Sequence, residues 1–215
     1  MGSLTEYLKP TCLCDFDEVP EIRDTAQRLT MNLPDIEQVV QAIYRHVKEF
    51  PYGLEDWNIK ASETLRKVWG MCSGKTNLLV AMARSLEIPA RYMVIKIESE
   101  ATLWEWIANQ DTELARQIGE PATEQDHVLA EVYIHSWETY DTSRDFAFEE
   151  GLRRLGISLE RKLVSQTTGN SPIVLASFDE WAQNRQRVRL FRENRQEIFS
   201  RINGEIEKIR YLGRG

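Results

Sequence analysis

The stretch that decides the fold is GMCSGKTNLLVAMARSLEIPAR, residues 70–91. Small and aliphatic residues dominate Ser73 to Leu86, a composition typical of a helix buried at the centre of a domain. Pro89 ends this helix, and the alternation from Arg91 to Ile97 predicts a strand. Cys72 therefore stands at the N-terminus of a buried helix, where the helix dipole and free amide N–H groups favour a thiolate and can hold an oxyanion. A buried, inert thiol is the alternative at this position.

Helical patterns also precede this stretch. Apolar residues recur every three or four positions from Asp35 to Phe50, which predicts an amphipathic helix ended by Pro51. Ala61 to Lys67 predicts a shorter helix. The first 30 residues contain two prolines and an acidic stretch, and we expect them to form an irregular or strand-like lead-in.

Strand patterns dominate the middle of the chain. Residues 101–125 predict a helical excursion, and two β-rich runs follow, 128–134 and 137–141, joined by a short turn. His127 and Asp141 flank this hairpin, so we expect them to lie opposite each other within a residue or two. A carboxylate at that spacing can hold an imidazole in the tautomer and orientation that catalysis needs.

The last third of the chain is mostly helical. The pattern predicts a helix over 146–155, a short strand over 173–175, and one C-terminal helix of roughly 30 residues from Ser177. The chain is therefore expected to be a single α+β domain, 1–215. We expect N-terminal helices to pack on a small antiparallel sheet. Residues 35–145 are expected to form the core of the domain, and residues 177–210 a C-terminal helical extension with a structural role.

Composition limits the classes of function. With 215 residues, 42% of them hydrophobic, the chain can build a core without disulfide or metal support. A net charge of −7 argues against nucleic acid and anionic membranes as partners. No apolar run approaches the roughly 18–20 residues of a membrane span, and the first ten residues carry no apolar signal segment. Three cysteines fit a reducing compartment, so we expect a soluble cytoplasmic protein, either a monomer or a homodimer.

Other patterns are weaker. Gly74-Lys75-Thr76 ends like a phosphate-binding loop, but Trp69 stands where that loop needs its first glycine. Cys12 and Cys14 lack the further ligands that a zinc site requires, so no metal site is expected. His135 falls at the hairpin turn, too far along the strand to pair with Asp141, and is expected at the surface.

Three linked motifs resemble the core of the transglutaminase-like superfamily, in its small bacterial or archaeal form. The first combines residues 61–66 with residues 70–91, the second is the strand His127 to Ile134, and the third is Tyr140-Asp141-Thr142-Ser143. The order Cys, His, Asp is the order of the family, and the resemblance covers about residues 35–145.

The resemblance implies a papain-like fold and a reaction. Cys72 would attack an acyl carbonyl, His127 would act as acid and base, and Asp141 would orient the imidazole, with no metal and no cofactor. The substrate would be a peptide, a protein or a small amide or acyl compound. The Cys72 amide would hold the oxyanion together with one further side chain, for which the candidates are Trp57, Asn58 and Trp69; Trp104, with Trp106, is a candidate wall of the substrate groove.

Three functions remain open from the sequence. Hydrolysis of an amide, as in a peptidase or amidase, is favoured over transfer to an amine. The second function is an amide-forming acyltransferase that acts on a thioester-bound acyl group in biosynthesis. The third is a non-catalytic binding module that has kept the fold and acts through its aromatic surface.

Overall fold

The computed structural model describes residues 4–119, 122–164, 171–187 and 194–215. In these ranges the chain forms nine α-helices, one 3-10 helix and four β-strands. In chain order they are the 3-10 helix (Leu4–Leu8), α1 (Pro20–Thr30), α2 (Ile36–Glu49), α3 (Ala61–Lys67), α4 (Cys72–Ser85), β1 (Ala90–Glu98), α5 (Ala101–Gln110), α6 (Thr112–Ile118), β2 (Glu124–Tyr133), β3 (Trp137–Tyr140), α7 (Phe146–Arg154), β4 (Ile173–Leu175), α8 (Asp179–Arg187) and α9 (Arg195–Gly213). No helix in the described ranges is long and apolar enough to cross a membrane.

The four strands form one antiparallel sheet in the order β3-β2-β1-β4. β2 and β3 are the predicted hairpin, with Tyr133 opposite Trp137 and Ala130 opposite Tyr140. β2 begins at Glu124, four residues earlier than the pattern predicted, and so carries His127 inside the strand. The α+β class with a small antiparallel sheet and a long C-terminal helix is confirmed.

Helix α4 is the centre of the molecule. Every one of its residues is buried, as its small and aliphatic composition predicted. It packs against β2 on one side and against α1, α2 and α3 on the others. The prediction of a buried central helix is confirmed, and the helix starts at Cys72 itself.

A second apolar cluster lies beside this core, formed by α5, α6, α7 and α9. Helices α7 and α9 approach so closely that a Cβ on Gly151 would lie 1.9 Å from the carbonyl oxygen of Ile209. α9 buries Ile198, Ile202 and Ile206 on the inner side. Cys72 and His127 line a cavity together with residues of this second cluster.

Two expectations from the sequence are wrong. The lead-in is not strand-like: α1 occupies its second half, because Pro20 sits at the first helical turn, where its fixed φ favours a helix. The C-terminal segment is not one continuous helix, because the backbone of Asn194 (φ −125°, ψ 32°), just before α9, is not helical. The predicted continuity over 188–193 falls outside the described residues.

Candidate active site

Cys72 is the first residue of α4. The preceding Met71 is extended (φ −76°, ψ 174°), and no side chain caps the helix. The buried carboxylate of Glu55 accepts the N–H of Met71 at 2.9 Å, which fixes the chain just before the cysteine. Because the first N–H groups of a helix have no partner inside it, the Cys72 amide remains available as a donor. Cys72 is 5% exposed and faces a cavity of about 200 Å³.

His127 and Asp141 meet across the β2–β3 hairpin. In the register of the hairpin, Asp141 follows Tyr140, which is opposite Ala130, so the carboxylate lies two residues along from His127. Nε2 of His127 and Oδ2 of Asp141 are 3.0 Å apart. The Cys72 side chain lies beside the same imidazole, and both residues line the same cavity. The structure therefore brings together the three residues that the sequence singled out.

The charges in this group stabilise one another. Burial alone would lower the pKa of His127, but the charge and hydrogen bond of Asp141, followed by those of Cys72, raise it to about 9. Burial would likewise raise the pKa of Asp141, yet His127 and then Arg161 hold it far below its usual range. At neutral pH the imidazole is therefore protonated and the carboxylate ionised.

Two residues that the sequence analysis did not identify hold Asp141 in place. Ser143 donates to Oδ1 of Asp141 through its backbone N–H at 2.9 Å and its hydroxyl at 2.6 Å. Arg161 donates to Oδ2 of Asp141, to the Ser143 hydroxyl at 2.9 Å and to Glu100 at 3.2 Å. Ser143 is two residues after the aspartate, a spacing typical of local side-chain turns. Arg161 has no such relation in sequence.

Lys75, in the fragment Gly74-Lys75-Thr76 that is similar to a phosphate-binding loop, has a structural role. Its side chain is fully buried, one turn after Cys72. The ammonium group donates to the carbonyl oxygens of Lys48 (3.1 Å), Phe50 (2.6 Å) and Ser143 (3.1 Å). Lys75 thus ties α4 to the end of α2 and to the loop that carries Asp141, and it does not face a ligand.

The pocket candidates from the sequence separate into two groups. Trp57 and Trp104 line the cavity in front of Cys72. Asn58 is exposed in a turn, and Trp69 packs against Gly53 and under the Lys67 ammonium, 4.5 Å from its ring centroid. Neither Asn58 nor Trp69 lines the described wall of the cavity.

Tyr52 is a pocket residue that the sequence analysis missed. Its backbone forms a bridge with Gly70, two residues before Cys72. Its N–H donates to Asp145 at 2.8 Å and its ring stacks on Phe148, with centroids 5.9 Å apart. Burial, followed by the charge of Cys72, raises the pKa of Tyr52. The side chain lines the cavity, and within the described residues its hydroxyl makes no hydrogen bond.

The remaining titratable candidates lie elsewhere. His135 is exposed and its ring pairs with Glu37 at 2.7 Å, which confirms the expected surface position. Cys12 is exposed and Cys14 is buried, and burial raises the pKa of Cys14 to about 11. Among the residues that the structure describes, no group of three or more His, Cys, Asp or Glu side chains is placed to hold a metal ion.

Comparison with known proteins gives a family and a structural neighbour. The sequence model of the transglutaminase-like superfamily matches residues 23–142, more than half of the chain. Among solved structures, one match is the crystal structure of a "Putative Cysteine Protease from Cytophaga hutchinsonii", with 18% identity and a TM-score of 0.49 over 82% of this chain. The aligned part is 52% of that protein, so this chain spans about half its length. No curated protein matches the chain.

Proposed function

Because the chain belongs to the transglutaminase-like superfamily, we propose that Cys72 forms a thioester with the acyl group of an amide or related donor. Family membership identifies a cysteine-dependent enzyme in general. The observation that carries the finer proposal is the pairing of a helix-start cysteine with a buried imidazole that a carboxylate holds at 3.0 Å. This is the arrangement that nucleophilic catalysis by cysteine requires.

The proposed reaction has two steps. In the first, the Cys72 sulfur attacks the acyl carbonyl, the C–S bond forms, and the amide C–N bond breaks as the His127 imidazolium gives its proton to the leaving amine. In the second, neutral His127 takes a proton from water or from an acceptor amine, which attacks the thioester and releases Cys72. Asp141 keeps the imidazole oriented and stabilises its charged form throughout.

The oxyanion of each tetrahedral intermediate needs two donors. We propose the Cys72 N–H as the first and the Tyr52 hydroxyl as the second. Three observations support Tyr52: its bridge to Gly70, its place in the cavity wall and the absence of another hydrogen bond of its hydroxyl in the described chain. Trp57 also lines the cavity, and its ring contacts Trp181 edge to face, with centroids 5.2 Å apart.

The two steps are compatible with a hydrolase and with a transferase. Water resolves the thioester in a peptidase or amidase, and an amine resolves it in an amide-forming acyltransferase. Intact-mass analysis after incubation with a set of acyl donors, each with and without amines, identifies the acyl group and the acceptor. A binding module without catalytic function would form no acyl adduct with any donor.

The test of the nucleophile uses iodoacetamide and peptide mapping. Exposed Cys12 serves as the reference thiol inside the same molecule, and the rate at Cys72 is divided by the rate at Cys12. We expect His127→Ala to lower this ratio at pH 6–7, because the imidazolium no longer stabilises the thiolate. We expect Cys72→Ala to lower kcat by more than about 10³ without loss of fold.

The matched control is His135→Ala, which removes a surface imidazole paired with Glu37. It should leave the labelling ratio and kcat unchanged. Substantial turnover in Cys72→Ala, or a labelling ratio that is indifferent to His127→Ala, would contradict the proposed chemistry.

A further inference from the structure

The cavity in front of Cys72 is walled mainly by apolar side chains from distant parts of the chain. The lining includes residues of α5, α7 and α9 together with Cys72 and His127. The apolar residues that line these walls include Leu103, Ile107, Phe148, Ile202 and Ile206. The same residues form the second apolar cluster, so the cavity is a gap left within that cluster.

Each charged residue of the lining has at least one oppositely charged partner within the chain. Arg144 pairs with Glu100, and Arg161 pairs with Glu100 and Asp141. Arg185 pairs with Asp126 at 2.8 Å, Arg195 with Asp56 at 3.0 Å, and Glu55 with Lys67. A charged substrate group would compete with these pairs, and burying a charge without a full partner is costly.

The size of the cavity suits a single bulky group. An apolar cavity of about 150 Å³ is sufficient to hold benzene, and this cavity is about 200 Å³. A leucine or phenylalanine side chain would fill it and bury apolar surface against Leu103, Ile107 and Phe148. An alanine methyl group would leave most of it empty.

From these observations we propose that the cavity is the acyl-donor pocket and that it selects a bulky, uncharged, apolar group next to the reacting carbonyl. The preferred substrates are then amides or thioesters whose acyl part carries a side chain of leucine or phenylalanine size. This inference rests on the proposed function, because it assumes that the acyl carbon bonds to Cys72.

Two tryptophans of α5 provide a matched pair of variants. Trp104 is half-buried and lines the cavity, whereas Trp106 is half-buried on the same helix and is not part of the described cavity wall. Trp104→Glu places a carboxylate in the pocket, and Trp106→Glu places the same charge on the same helix outside it. Phe199→Glu, on the α9 side of the cavity, is a second pocket variant in case Trp104→Glu does not fold.

The experiment measures second-order rates of Cys72 alkylation by N-acetylated chloromethyl ketones derived from phenylalanine, alanine, aspartate and lysine. Each rate is divided by the iodoacetamide rate at Cys72 of the same variant, and labelling is located by peptide mapping. We expect the phenylalanine reagent to react about 30-fold faster than the alanine reagent, and both charged reagents to react more slowly than the alanine reagent. Trp104→Glu or Phe199→Glu should reduce the phenylalanine preference at least about 10-fold; Trp106→Glu should preserve it.

Failure of this inference and failure of the proposed function give different results. If iodoacetamide labels Cys72 in a His127-dependent way but the phenylalanine and alanine reagents react equally, the pocket assignment is wrong and the nucleophile stands. Faster reaction of a charged reagent, or an equal effect of Trp106→Glu and the pocket variants, would also overturn it. If His127→Ala leaves the iodoacetamide rate unchanged, the proposed function fails and the pocket inference fails with it.

Discussion

Replacing Asp141 by Asn tests the electrostatic arrangement of the site. The carboxylate accepts hydrogen bonds from His127, Ser143 and Arg161, and Asn preserves its size while it removes the charge. In the native protein the pKa of His127 is raised to about 9 against the effect of burial, by Asp141 first and Cys72 second. In Asp141→Asn the imidazole of His127 is still buried, but the charge that contributes most to raising its pKa is lost. We therefore expect the pKa of His127 to fall to its ordinary value near 6.5 or below it.

The size of the effect follows from these two values. If the imidazolium is the acid of the first step, about 0.9 of the enzyme is active at pH 8 when the pKa of His127 is about 9. With a pKa of about 6.5 the active fraction at pH 8 is about 0.03. Asp141→Asn should therefore lose about 30-fold in kcat/KM at pH 8, because kcat/KM reports the protonation state of the free enzyme. At pH 5.5 both enzymes are mostly protonated at His127, and the loss from this cause should be about twofold or less.

The measurement is kcat/KM between pH 5 and pH 10 for the native enzyme and the variant. We expect the alkaline limb to move from about pH 9 in the native enzyme to about pH 6.5 or lower in Asp141→Asn. Because the groups are coupled, these limbs report the pair and not one residue alone. An unmoved alkaline limb, or a loss that is the same at pH 5.5 and pH 8, would refute the electrostatic role of Asp141.

Two other carboxylates on the hairpin are controls for this experiment. Glu131 pairs with Arg91 at 2.7 Å, and Glu138 accepts the hydroxyl of Tyr140 at 3.0 Å. Since neither contacts His127, Glu131→Gln and Glu138→Gln should keep the native pH profile. A shifted profile in either control, with Asp141→Asn unaffected, would mean that another carboxylate holds the imidazole.

Two further predictions concern the oxyanion and the helix that walls the cavity. Tyr52→Phe should lower kcat about 10²-fold with little change in KM, as expected for loss of one oxyanion donor. Tyr7 lies in the 3-10 helix, packs on Trp137 and does not line the described cavity, so Tyr7→Phe should have no effect; equal kcat in both variants would contradict the assignment. Gly151→Ala should lower the free energy of unfolding by about 3 kcal/mol, because the added methyl group would overlap the Ile209 carbonyl, 1.9 Å away. Gly204→Ala, on the open side of α9 with nothing within 4 Å, should instead stabilise by about 0.5–1 kcal/mol, and urea unfolding of both variants compares the two effects.

Elements with a strong local signal were predicted well. Helix α4 was predicted from its run of small and aliphatic residues, and the β2–β3 hairpin from two β-rich runs joined by a short turn. Helix α1 was missed because Pro20 suggests a break when it is considered alone, and only its position at the first turn makes it compatible with a helix. The boundary between α8 and α9 was missed because apolar spacing can continue in register across a non-helical residue such as Asn194.

The chemistry of the site is also local in sequence. A cysteine at the start of a helix and two residues that flank a hairpin can be found from spacing, because turn length fixes the register of the strands. Asn58 and Trp69 were assigned to the pocket because they lie near Cys72 in the chain, but side-chain direction, not sequence distance, decides which groups face a cavity. Tyr52 lies no closer in sequence, yet its bridge to Gly70 places it beside the nucleophile.

The residues that would select the acyl group lie partly in a different region of the sequence from Cys72, His127 and Asp141. The family match ends at residue 142, so Cys72, His127 and Asp141 all lie inside it. The guanidinium that holds Asp141, together with the α7 and α9 walls of the cavity, comes from residues after that point. In sequence, the isoleucines of α9 look like ordinary core residues, because periodicity identifies the buried side of a helix but not whether that side packs solidly or borders a gap. The proposed reaction is thus predictable from the shared core, whereas the proposed acyl preference depends on how the C-terminal part of this chain packs against that core.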